Sequence, residues 1–273
     1  MKPFLADPDV ELYHGDAYDV LAELEEGSFD ACVTSPPYLD ARPEYPSPSQ
    51  TEFTKIFAEL RRVVSGPMLL NVGRLWRGGK EQLWWNNLLV SAELTGWPLR
   101  DTLVWCKPNA NPIQGEILTN AHEYIFLLGD GFDTDALRTP YSPESIARFN
   151  RRFVANAGVK NYARPEHRPE RLGAANPLGA RAKSYFEATT GVEKGNPHPA
   201  PMPLEVAERM VLLSGGSRIL DPFCGSGTTL VAARGLGRKA TGIELLDEYV
   251  RMAAERLQGQ PLDQRSLLAE VRD

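Results

Sequence analysis

One stretch restricts the fold of this chain more than any other. Asp221-Pro222-Phe223-Cys224-Gly225-Ser226-Gly227-Thr228-Thr229 stands between the apolar run Arg218-Ile219-Leu220 and the segment Leu230-Val231-Ala232-Ala233-Arg234. The run reads as a buried strand and the segment as a helix, and the two glycines let the backbone turn tightly between them. A strand feeding a helix in this way belongs to a parallel sheet covered on both faces. The remaining pattern agrees. Strands are expected over 11–16, 29–34, 67–73, 99–106, 122–128, 218–220 and 239–244, with helices over 17–26, 52–64, 82–95, 203–213 and 249–257. The expected fold class is therefore α/β, a Rossmann-like, mostly parallel sheet of seven strands. The glycine turn comes late in the chain instead of early. That order implies a circularly permuted sheet whose two chain ends lie close together.

The turn also indicates a ligand. Gly225 and Gly227 leave no Cβ between backbone and ligand, and the following helix aims free N–H groups at the same place. Strand 239–244 ends in Glu244, 19 residues after Gly225, where a carboxylate can take the two hydroxyls of a ribose. Thr228 and Thr229 follow Gly227, so the third glycine of a dinucleotide fingerprint is missing. Asp221 would repel a pyrophosphate. A cationic nucleoside without phosphates fits better, and S-adenosylmethionine is one.

A second constrained turn lies early. Phe29 to Thr34 is strand-like and runs into Ser35-Pro36-Pro37-Tyr38. Two prolines can neither continue a ladder nor start a helix interior, so the chain leaves the sheet there. A polar, proline-rich loop over the strand ends follows, to Thr51.

From Gly129 to Pro199 apolar periodicity fades. Between residues 138 and 183 ten cations (Arg138, Arg148, Arg151, Arg152, Lys160, Arg164, Arg168, Arg171, Arg181, Lys183) face three acids, a balance of +7. The whole chain carries −6, so the rest carries −13. Aromatics such as Phe149, Phe153, Tyr162 and Tyr185 alternate with the arginines, as nucleic-acid clamps require. A solubilising insert is the plainer alternative. The three cysteines, Cys32, Cys106 and Cys224, show no metal-ligand spacing and read as buried thiols in a reducing cytoplasm. No metal constellation stands out, and no apolar run is long enough to span a membrane.

Taken in this order, Thr34-Ser35-Pro36-Pro37-Tyr38 and Asp221-Pro222-Phe223-Cys224-Gly225-Ser226-Gly227-Thr228-Thr229 resemble the paired blocks of the beta-group amino-methyltransferases that act on DNA. Gly15-Asp16, Trp105-Cys106-Lys107-Pro108, His122-Glu123-Tyr124 and His198-Pro199-Ala200-Pro201-Met202-Pro203 are similar to further family blocks. The resemblance covers roughly residues 11–129 and 196–258. It implies one discontinuous catalytic and cofactor-binding domain (1–129 and 200–258), a target-recognition insert (130–199) and a tail (259–273).

The resemblance also implies chemistry. Ser35 Oγ and the Pro36 carbonyl accept the hydrogens of an exocyclic amine, Pro37 stiffens the turn, and Tyr38 stacks on a flipped-out base. The cofactor is S-adenosyl-L-methionine. Asp221, Pro222, Phe223, Gly225, Ser226, Gly227 and Thr228 line its methionine and ribose side together with Thr34. Glu244 takes the ribose hydroxyls, and Asp16 and Ala17 lie near the adenine. His198, Pro199 and Pro201 close the methionine end. Taken singly, Asp16 also reads as a turn residue, Glu244 as a first-turn acid and His198 as a loop residue. Arg42 joins the basic segment as an expected DNA contact. The implied partner is double-stranded DNA, with a cognate restriction endonuclease as a candidate, and the implied state is a monomer or a homodimer. A serine after threonine at the head of the proline block is mostly found in N4-cytosine enzymes, with N6-adenine as the alternative. A protein or RNA amino-methyltransferase fits less well, because its usual Asn-Pro-Pro-Tyr spelling and cofactor-first order are absent. A non-catalytic binding module has no need of both blocks intact.

Overall fold

The late strand–turn–helix unit forms the centre of the molecule. The computed structural model describes residues 2–38, 48–110, 118–142, 176–190 and 202–259. The early strands are β1 (Leu5–Ala6), β2 (Val10–His14), β3 (Ala31–Thr34) and β4 (Met68–Val72). A small hairpin, β5 (Leu75–Arg77) and β6 (Lys80–Gln82), stands apart from the main sheet. Then come β7 (Leu99–Cys106), β8 (His122–Leu128), β9 (Tyr185–Glu187), β10 (Arg218–Asp221) and β11 (Lys239–Glu244). The helices are α1 (Ala17–Glu23), α2 (Gln50–Val63), α3 (Trp84–Leu94), α4 (Leu204–Ser214), α5 (Thr228–Gly235) and α6 (Asp247–Gly259).

Nine strands make one sheet in the order β1-β2-β11-β10-β3-β4-β8-β7-β9. From β2 to β4 every neighbouring pair is parallel. β8 runs antiparallel to both its neighbours, and β1 runs antiparallel to β2. All seven expected strands are present. The two additional ones, β1 and β9, are edge strands of two and three residues, too short to leave a periodic signal. β9 lies within the expected insert and pairs with β7, so the described part of that segment is built onto the sheet.

The central strands are apolar throughout because both faces are covered. Side chains alternate between two cores. Val33, Leu69 and Ile219 pack under α4, α5 and α6 with Met210, Leu230 and Leu257. Cys32, Leu70 and Leu220 pack under α1, α2 and α3 with Leu21, Phe57 and Leu88. Each buried Leu or Phe contributes about 1.5–3 kcal/mol. Helix α2 starts at a capping box in which Ser49 and Glu52 satisfy each other's backbone N–H. Its apolar residues Phe53, Ile56, Phe57, Leu60 and Val63 then recur on one face.

One close approach is demanding. A Cβ on Gly242, in the middle of β11, would lie 2.6 Å from Leu230 Cδ1 and 2.9 Å from Cys224 Sγ. Overpacking of this kind costs about 1–3 kcal/mol. Gly242→Ala is expected to lower the unfolding free energy by that amount, seen as a lower urea midpoint without a change in the slope of the transition.

β10 sends its helix to one face of the sheet, and β3 leads through α2 on the other. Their carboxyl ends therefore flank the crevice where ligands bind in open α/β sheets.

Candidate active site

The turn after β10 is held from three sides. The Cys224 N–H bonds to the Ile243 carbonyl of β11, and the Gly227 N–H to the Cys224 carbonyl. Gly225 and Gly227 have φ of 52° and 79°, values that L side chains rarely adopt. From α6, Arg256 bonds to the Ser226 carbonyl and to the hydroxyls of Ser226 and Thr228. These two expected cofactor residues are buried, with their hydroxyls committed to Arg256.

Two buried carboxylates stand beside this turn. Glu244 is 1% exposed and accepts the N–H of Gly225 at 2.9 Å and that of Leu246 at 2.9 Å. A carboxylate oxygen accepts more than one donor, so these bonds do not exhaust it. Asp221 is 2% exposed and accepts the Thr34 hydroxyl at 2.6 Å and the Phe223 N–H at 3.1 Å. Burial pushes its pKa up to about 6, opposed by the hydrogen bonds from Thr34, Thr229 and Phe223, with the Glu244 charge adding to the rise. Two acids held out of water at one sheet edge invite a cation.

A cavity of about 360 Å³ opens at this edge, lined among others by Asp16, Ala17, Ile56, Pro222, Phe223 and Glu244. Asp16 caps α1, accepting the N–H groups of Tyr18 and Asp19, and so is both turn residue and cavity wall. Pro37 reaches the same wall.

The two turns thus meet. β3 and β10 are parallel neighbours, and the Thr34 hydroxyl ends β3 on the carboxylate that ends β10. Tyr38 packs its ring 5.0 Å from that of Trp84 and against Gly73, where a Cβ would lie 2.7 Å from the Tyr38 ring. Its hydroxyl donates to Glu123 Oε2 at 3.2 Å. Burial, and after it the Glu123 charge, hold the phenol well above its ordinary pKa.

Glu123 heads β8 and is 9% exposed. It also accepts Asn71 Nδ2 at 2.9 Å and pairs with Lys107 Nζ at 2.5 Å. Among the described residues Asn71 Oδ1 has no hydrogen-bond partner, a state that costs a buried acceptor about 1–3 kcal/mol. Asn71, Gly73, Lys107 and Glu123 were not among the site residues expected from sequence. Their signal is a polar or glycine residue at the tip of an otherwise apolar strand.

The basic segment is described only in part. Arg181 and Lys183 are exposed, and Lys183 bonds to the Tyr185 hydroxyl. Arg138 is turned inward, 8% exposed, and bonds to Asp135 and to the Gly179 carbonyl, so its charge ties two loops together and is not offered at the surface. Arg42, Arg148, Arg151, Arg152, Lys160, Arg164, Arg168 and Arg171 lie outside the described residues, as do His198, Pro199 and Pro201. Among the described residues no group of three His, Cys, Asp or Glu side chains is placed to hold a metal, and no helix is long and apolar enough to cross a membrane.

Residues 29–255 match the family model described as DNA methylase, of the N6/N4 type. Type II methyltransferase M.Cfr9I of Citrobacter freundii is 30% identical over 91% of this chain and 88% of its own. Type II methyltransferase M.SmaI of Serratia marcescens is 29% identical over 89% of each. Among solved structures, TTHA0409 of Thermus thermophilus was determined in complex with S-adenosyl-L-methionine. It superposes with a TM-score of 0.58 at 25% identity, covering 91% of this chain and 94% of that one. The cytosine-N4-specific PvuII DNA methyltransferase shares the fold, with a TM-score of 0.67 at 17% identity over 99% of this chain and 92% of that one.

Proposed function

Given that this chain belongs to the N6/N4 DNA methylase family, we propose that it moves a methyl group from S-adenosyl-L-methionine to the exocyclic N4 amine of a cytosine flipped out of duplex DNA. The observation that carries this reading is the 2.6 Å bond between Thr34 and Asp221, which sets the proline turn beside the glycine turn.

When bound, S-adenosyl-L-methionine supplies an electrophilic methyl carbon on a sulfonium. The residues present suit it. Glu244 presents a carboxylate that can accept ribose hydroxyls, and Phe223, Ile56 and Ala17 give an apolar wall for the adenine. Asp221 and Glu244 together place negative charge near the cation.

An exocyclic amine is a weak nucleophile because its lone pair is delocalised into the ring. Ser35 Oγ and the Pro36 carbonyl accept its two hydrogens and localise that pair. The prolines fix the direction of the carbonyl, so the two acceptors work by preorganisation, and the one proton that the amine gives up on methylation would leave past them to solvent. The Tyr38 ring, beside Trp84, gives the extruded base a face to stack on. The Thr-Ser spelling at residues 34 and 35 favours cytosine over adenine.

Incubation with radiolabelled S-adenosyl-L-methionine and bacterial genomic DNA, followed by nucleoside analysis, tests the reading. N4-methylcytosine is the expected product. N6-methyladenine overturns the choice of base, and unlabelled DNA overturns the reaction. The basic segment is proposed as the DNA clamp. Replacing Arg151 and Arg152 with alanine is then expected to weaken duplex binding by about tenfold at roughly 0.1 M salt and to reduce the log–log salt slope by about two. Fluorescence anisotropy across a salt series measures both.

A further inference from the structure

The polar cluster at the tips of β4, β7 and β8 is not accounted for by the chemistry above. Its hub is Glu123, whose carboxylate takes three donors from three parts of the chain: Tyr38 Oη, Asn71 Nδ2 and Lys107 Nζ. Lys107 pairs with it and is itself seated over the Trp105 ring, 4.8 Å from the centroid. A carboxylate so buried and so tied has one orientation.

That orientation fixes two other groups. It sets the Tyr38 hydroxyl together with bonds from the Ser35 side chain and the Gly73 backbone, and with Gly73 and Trp84 it pins the ring in one plane. It also decides which way the Asn71 amide lies. Its nitrogen is spent on Glu123, so its oxygen is turned elsewhere as a buried acceptor with no partner among the described residues. Asn71 follows Leu70, whose register partner on β3 is Thr34, so this acceptor arises at the level of Ser35.

We infer that Glu123 is a positioning residue for methyl transfer, one carboxylate that aligns the stacking ring of Tyr38 and the unfilled acceptor of Asn71 beside the Ser35–Pro36 pair. The inference rests on the methyl-transfer reading above. Glu123 is not among the residues that line the cavity beside Asp16, Phe223 and Glu244. Its effect passes through Tyr38 and Asn71, and a loss of alignment of about 1 Å at such a site lowers the rate by about 10²-fold.

The test is a double-mutant cycle on the full chain, reading single-turnover transfer of radiolabel to bacterial genomic DNA with cofactor and DNA saturating. Glu123→Ala is expected to lower the rate about 10²-fold. Glu123→Gln, which keeps volume and one acceptor, recovers part of that, and Tyr38→Phe costs about tenfold. Because Glu123 and Tyr38 act as a unit, adding Glu123→Gln to Tyr38→Phe is expected to slow transfer by much less than Glu123→Gln alone. Cofactor affinity, measured by calorimetry, stays within about twofold in all variants by the same logic. Independent, multiplying effects of the two substitutions overturn the inference. So does a rate per folded molecule that is unchanged while the melting temperature falls, since that marks a purely structural acid. Absence of transfer by the unaltered protein overturns the methyl-transfer reading itself, and this inference with it.

Discussion

Ser35→Ala is expected to slow methyl transfer by about 10²- to 10³-fold while cofactor affinity changes by less than about twofold. The serine hydroxyl is proposed as one of two acceptors that localise the amine lone pair, and this interaction matters most as charge develops in the transition state. Removing it leaves the cavity walls and both buried acids in place, since Ser35 is not among the residues that line the cavity. Single-turnover rates and calorimetric titration with S-adenosyl-L-methionine separate the two quantities. An alanine variant that transfers methyl at the original rate removes Ser35 from the mechanism.

Asp221→Asn has two effects of opposite sign. The carboxyl of Asp221 has its pKa raised from 3.8 to about 6 in the folded protein, chiefly by burial. A raised folded pKa means that the folded state holds its proton more tightly. The associated stability is fully present below about pH 4 and is lost as pH rises through about 6. A shift of about two units corresponds to about 3 kcal/mol at most. Without bound cation, Asp221→Asn is therefore expected to stabilise the protein by about 1–3 kcal/mol at about pH 8 and to change it little at about pH 4. Binding moves the other way. A sulfonium favours the charged carboxylate, so affinity of the unaltered protein is expected to rise with pH through about 6. The asparagine variant lacks that rise and binds about 10²-fold more weakly at about pH 8. Urea denaturation at the two pH values and calorimetric titration across the range check these signs. A variant that loses stability at the higher pH contradicts them.

Much of the scaffold was legible because its strands are buried on both faces. Continuous apolar runs such as Met68 to Val72 leave little room for another reading, and Gly225–Gly227 and Pro36–Pro37 mark where two of them must end. The late position of the glycine turn carried the permuted strand order, which appears as β2 pairing with β11. The pattern was silent where length or locality failed. Leu5–Ala6 and Tyr185–Glu187 are too short to alternate. The β5–β6 hairpin had a usable signal in Gly78-Gly79, both at positive φ, but its strands are three residues each, too short to alternate. In the candidate site, the residues named from sequence all sit within contiguous motifs. The Glu123 cluster gathers residues from three distant segments, and no local pattern announces that Asn71, Lys107 and Tyr38 share one acid. Arg138 shows the reverse error. A cation in a basic segment reads as a surface charge until its partners, Asp135 and Gly179, are seen.

The sheet order has a consequence for synthesis. β2 and β3 are made early, yet they are not partners. Both wait for β10 and β11, which lie between them and are translated after residue 217. A nascent chain of about two hundred residues owns both flanks of a gap and nothing to fill it. Its exposed ladder edges, unlike the finished protein's, are long and apolar, the kind that chaperones shield and aggregates seek. The same late residues that close this gap carry Asp221 and Glu244, so the molecule seals its sheet and completes its nucleoside pocket in one event.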